Sequence, residues 1–159
     1  MSQNNDKFAN VRYTAPMPAL GKVGQYQMSA VPYASGSIFV NGGGGTPTKV
    51  SFPQVTRFVT IINDATGSNK PLRVGFSSLG VTGSVANDTD LDNYFTLDNG
   101  ESYTGEWRVS ELYMLGAAKP AIVGASAAPA FTTASVIAGL TGIPDVALSG
   151  NWTGSSGVG

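Results

Sequence analysis

Asp88, Asp90 and Asp92 stand at alternate positions in NDTDLDNYFTLDN, the spacing of the first three oxygen ligands of an EF-hand calcium loop. The rest of that loop is missing. Its sixth position is Asn93 where glycine makes the sharp turn, its twelfth is Asn99 where a bidentate glutamate closes the shell, and no helical pattern flanks it. Three neighbouring carboxylates are comfortable only in water or around a cation. A looser calcium clip and plain solvation therefore both stay open. A second acidic group follows in YFTLDNGESYTGEWRVSELYM, which carries Asp98, Glu101, Glu106 and Glu111 beside Tyr103, Trp107 and Tyr113. Paired carboxylates across a ring-lined cleft are the apparatus of glycoside hydrolysis. Glu106 and Glu111 are an odd number of residues apart, which places them on opposite faces of a strand unless a bulge intervenes. All four acids fall on polar phases or in turns, so the expectation is that they face solvent. No catalytic, cofactor-binding or metal-binding residue is assigned, and no cofactor is expected.

Composition narrows the chemistry further. The chain has no histidine and no cysteine. That removes the commonest general base, the Ser-His-Asp arrangement, thiolate nucleophiles, disulfides and most catalytic zinc sites. Charged residues make up 12% of the chain, about half the usual fraction. The net charge is −1 and the basic residues are scattered, so the positive footprint of a nucleic-acid binder is lacking and no direct nucleic-acid binding is expected. The N-terminal stretch MSQNNDKFANVRY is polar, unlike a secretory leader, and no apolar run is long enough for a spanning helix. Membrane insertion is not expected, nor is enzymatic activity.

The elements that would position these residues read as strands. Residues 1–34 mix Asn, Gln, Pro and scattered Tyr and Met without a period, and are read as an extended N-terminal arm; residues 35–159 are read as a single domain. Ile38 to Val40 is a short strand, and Gly42 to Gly45 is a flexible loop with no Walker lysine after it. Val55 to Ile62 is the strongest strand, since seven of its eight residues are β-branched or aromatic. Val55, Arg57, Val59 and Ile61 share one face of it. Leu72, Val74 and Phe76 are in phase on a second strand, and Leu79 to Asn93 reads as a long surface loop. Tyr94 to Leu97, a turn at Asp98-Asn99-Gly100, and strands running from Glu101 toward Leu115 follow. Trp107 is expected in the core, and Gly105 at a bulge. Prolines 120 and 129 and repeated glycines block a helix in the alanine-rich stretch. Ser135 to Leu140 and Val146 to Leu148 complete seven or eight short strands, with Trp152 as a core plug or subunit contact. This is the pattern of an all-β chain, an antiparallel β-sandwich, with a closed barrel as the competing arrangement.

RFVTIIND (57–64), NKPLRVGFSSLGV (69–81), NYFTLDNGESYTGEWRVSELYML (93–115) and ASVIAGLTGI (134–143) together resemble the single jelly-roll penton proteins at the vertices of large icosahedral double-stranded DNA viruses. The resemblance implies a single jelly roll with an N-terminal arm that reaches toward neighbours. It implies a homopentamer at the fivefold vertex of a virion, meeting a double jelly-roll major capsid protein and minor capsid proteins. It implies no catalysis. The family has no short contact signature to carry over, and the aspartate loop has no counterpart in it. A phage head-decoration, fibre or tail-adaptor protein fits the same composition, and so does a carbohydrate-binding module using Tyr or Trp.

Overall fold

The computed structural model describes residues 30–43, 45–67, 70–82, 93–117 and 131–145. Eight strands and one short helix lie within them: β1 (Val31–Asn41), β2 (Thr48–Ser51), β3 (Gln54–Asn63), β4 (Leu72–Gly75), α1 (Ser78–Thr82), β5 (Tyr94–Leu97), β6 (Ser102–Gly105), β7 (Glu111–Gly116) and β8 (Phe131–Pro144). The strands form two four-stranded antiparallel sheets, ordered β1-β8-β3-β6 and β2-β7-β4-β5. Apart from β4 to β5, every successive strand crosses to the other sheet. That order is the jelly roll.

Alternation of side chains builds the interior. Val59, Ile61, Val136, Ala138 and Leu140 from one sheet meet Val50, Leu72, Val74, Leu112 and Met114 from the other in one continuous core. Two buried polar side chains tie the connections to it. The Asn63 side-chain amide donates to the Lys70 and Leu97 carbonyls, both at 3.0 Å, and its oxygen accepts from Ala65 N–H at 3.2 Å. One residue thus pins the β3–β4 and β5–β6 connections to the end of β3, with no polar atom stranded. The Thr56 hydroxyl donates to the Trp107 carbonyl at 2.7 Å and accepts from Val109 N–H at 3.2 Å. Gly100 turns the chain into β6 with a φ of 75°, the conformation expected of its Asp-Asn-Gly turn.

Several expectations are revised. β1 begins at Val31, inside the stretch read as arm, and is much longer than Ile38 to Val40. A register shift between Ser35 and Ile38, with Ser37 at φ 54°, breaks it midway. β2 has no counterpart in the sequence reading. Arg57 shares a phase with Val55 and Val59, yet it is exposed. The β3–β8 register slips on both sides of Thr56, and that irregularity turns Arg57 out and Thr56 in. The helix α1 opens the stretch taken as loop from Leu79. Gly105 is not a bulge; a Cβ there would run into the Trp107 ring, which lies over it. Trp107 is half-buried at the margin of the core, where its ring meets Phe76 edge-on at 5.0 Å and stacks on Tyr103 at 5.5 Å. The rest of the arm, Asp88, Asp90 and Asp92, Val146 to Leu148 and Trp152 lie outside the described residues.

Candidate functional site

Of the acids singled out above, Glu111 departs furthest from expectation. It opens β7 and was expected to face solvent, but its side chain is only 6% exposed. The correction has a physical cause: β7 is buried on both sides, along its whole length. Leu112 and Met114 point into the sandwich. Glu111, Tyr113 and Leu115 occupy the opposite, outer side, where α1 packs its Val81 against Tyr113 and Leu115. Gly75 of β4 admits that contact, since a Cβ there would lie 2.5 Å from the Val81 side chain and 2.6 Å from the Asn93 carbonyl. The outer side of β7 therefore carries a second, smaller hydrophobic cluster, and Glu111 sits beside it.

A buried carboxylate needs partners. Lys49, opposite Tyr113 on β2, forms an ion pair with Glu111 Oε2. The Tyr113 hydroxyl donates to Glu111 Oε1 at 3.1 Å. The ammonium also lies 5.9 Å from the centre of the Tyr113 ring. The hydrogen bond to Glu111 raises the Lys49 pKa, against the pull of burial. Burial first, and the Glu111 charge second, raise that of the Tyr113 hydroxyl. Both groups thus hold their protons more tightly than usual, the opposite of an activated nucleophile or base. On the same outer side, the Arg73 guanidinium lies over the Tyr94 ring at 4.5 Å and donates to the Thr82 carbonyl at 3.1 Å, fastening the end of α1. The group is a structural clasp.

Of the other acids among the described residues, Asp98 and Glu101 stand together in the β5–β6 turn. Glu101 turns back on its own hairpin, accepting from Asp98 N–H at 2.7 Å. Glu106 is exposed, in the connection after β6. Among the described residues no group of three or more acidic side chains gathers where a metal could be held. No helix among them is long and apolar enough to cross a membrane.

The outer side of the other sheet differs in kind. Phe39, Phe131 and Ile137 are exposed there, beside half-buried Phe58 and Ile62. The Phe39 and Phe131 rings stack with centroids 4.7 Å apart. Sequence reasoning missed this surface. The signal was present in the outward phase of two strands, but assigning it required knowing that β8 lies between β1 and β3.

Comparison with known protein families, with curated proteins and with solved structures finds no match to this chain.

Proposed function

We propose that the protein is a structural capsid subunit that assembles as a homopentamer at the fivefold vertex of an icosahedral virion, without enzymatic activity. The observation that carries the reading is the jelly-roll strand order, which joins the resemblance of segments 57–64, 69–81, 93–115 and 134–143 to penton proteins. Capsid and lectin domains are both built on this architecture. A glycan-binding use is less well supported: of the three rings in that stretch, Tyr103 is exposed, Trp107 is half-buried beneath it, and Tyr113 is buried beside Glu111. In the capsid reading, a double jelly-roll major capsid protein and minor capsid proteins surround the pentamer. In that reading the stretch ahead of β1, the main part of the arm read as residues 1–34, is the segment that reaches them.

Native mass spectrometry of the full chain over a concentration series tests the proposal. Five copies are expected. Three copies would point to a fibre or decoration protein, and a monomer that binds glycans would point to a carbohydrate-binding module.

A further inference from the structure

The outer face of the β1-β8-β3-β6 sheet has a surface composition that an isolated soluble domain does not need. Phe39 is 57% exposed, Phe131 42% and Ile137 43%. The outward positions between them are mostly threonines and serines, of which Thr60 and Thr104 bond each other at 2.8 Å. Among the described residues, charged groups stand at the ends of this face, with Asp64 and Lys70 at one and Arg57 at the other. Phe39 and Phe131 form one apolar patch at one end, Ile137 stands apart from it across Thr133 and Ser135, and apolar groups gathered on one exposed face are a mark of a contact site.

We propose that this face is the docking surface for a second copy of the same chain; the inference deepens the assembly reading above and rests on it. The area fits. Strands β1, β8 and β3 are 11, 14 and 10 residues long. At about 3.3 Å per residue and about 4.8 Å between strands, the face measures roughly 35–45 Å by 15–20 Å. That is on the order of the 800 Å² that each partner gives to a standard interface. The charge pattern fits as well. A face whose charges stand only at its ends offers a foreign partner little electrostatic register, whereas copies with a net charge of −1 approach one another with little repulsion. The stacked Phe39 and Phe131 rings, with the Lys70 ammonium 5.1 Å from the centre of the Phe131 ring, supply a rigid aromatic anchor at one end.

The test compares the full wild-type chain with Ile137→Lys by native mass spectrometry over a concentration series, with thermal melts of dilute monomer alongside. A buried lysine in the middle of the contact is expected to shift half-assembly to about tenfold higher concentration or more, with the monomer melt unchanged. Unchanged assembly of Ile137→Lys beside an assembling wild type overturns the docking face and leaves the proposed function standing. Assembly that is lost in Ile137→Lys from a three-copy wild type supports the face while removing the vertex reading. A wild type that stays monomeric at every concentration overturns both. Destabilisation of the dilute monomer by Ile137→Lys means the face is covered within one copy, and the proposal falls. Ile137→Thr, which copies the neighbouring outward residues, repeats the comparison with a smaller shift, and its dilute monomer must melt as wild type does for the proposal to stand.

Discussion

The two outer faces of this sandwich solve opposite problems. On the β2-β7-β4-β5 side, the chain spends a helix, two aromatic rings and an ion pair on covering β7. On the β1-β8-β3-β6 side, longer strands carry phenylalanine and isoleucine into solvent with nothing folded over them among the described residues. Both outer faces carry apolar side chains, but among the described residues one set is covered and the other is exposed. A residue's worth to the fold therefore depends on which side it stands, even where the strand pattern is the same.

The widest contrast comes from putting the same charge on each face. Leu115 is 1% exposed beneath α1, and Ile137 is 43% exposed. Leu115→Lys is expected to cost about 4 kcal/mol or more, because a buried ammonium there has no carboxylate arranged for it. Ile137→Lys should change the stability of the monomer by no more than about 0.5 kcal/mol. Urea unfolding of the dilute proteins measures both. Similar losses at the two sites would erase the distinction between the faces.

A backbone contact sharpens the point. Gly75 allows α1 to approach β4 closely, with the Val81 side chain 2.5 Å from where a Cβ would stand. Gly75→Val is expected to cost about 3 kcal/mol, since the Asn93 carbonyl blocks the other direction and overpacking cannot relax. Fluorescence-detected melting should show it. A neutral result would mean that α1 lifts freely and that the lid contributes little.

This contrast also explains what the sequence could and could not disclose. Val55 to Ile62, Leu72 to Val74 and Tyr94 to Leu97 were legible because β-branched and aromatic residues cluster between turn formers there. Thr48–Ser51 was not, since a four-residue edge strand with a single buried valine, following glycines and a proline, has no period to detect. Arg57 broke the alternation only through a register slip, which depends on β8, far away in the chain. Glu111 was misplaced for a similar reason. Polar phase predicts exposure only when the outer face is bare, and a helix of five residues containing a glycine gives almost no helical signal of its own. Local pattern reveals which residues share a face; it does not reveal what covers that face.

Smaller effects probe the clasp itself. Glu111→Gln keeps the shape and still accepts the Tyr113 hydroxyl, but it removes the charge facing Lys49. Because the Lys49 side chain is 44% exposed, solvent screens much of that pair. The expected loss is about 1 kcal/mol at neutral pH, measured by urea unfolding. A loss several times larger would mean that the clasp is the main support of the covered face, rather than α1.

The smallest effect is in the pH dependence. Lys49 and Tyr113 both have raised pKa values in the folded chain, from ordinary values of 10.5 and 10.0. A raised value means that the folded state binds the proton more tightly than the unfolded state does, so unfolding releases protons between the two values. The stabilisation is complete below the ordinary values and declines as pH rises through the raised ones. Wild type should therefore hold its stability from pH 7 to about pH 9.5 as far as these two groups are concerned, and lose it above about pH 10. In Glu111→Gln the hydrogen bond to a charged carboxylate is gone from Lys49, and so is the negative charge beside Tyr113. The remaining shift at Tyr113 is the part due to burial. The alkaline decline should be shallower in the variant than in wild type, and the gap between them should narrow as pH rises. Parallel alkaline limbs in urea unfolding would mean that Lys49 and Tyr113 do not sense Glu111, and the covered face would then owe its stability to packing under α1 alone.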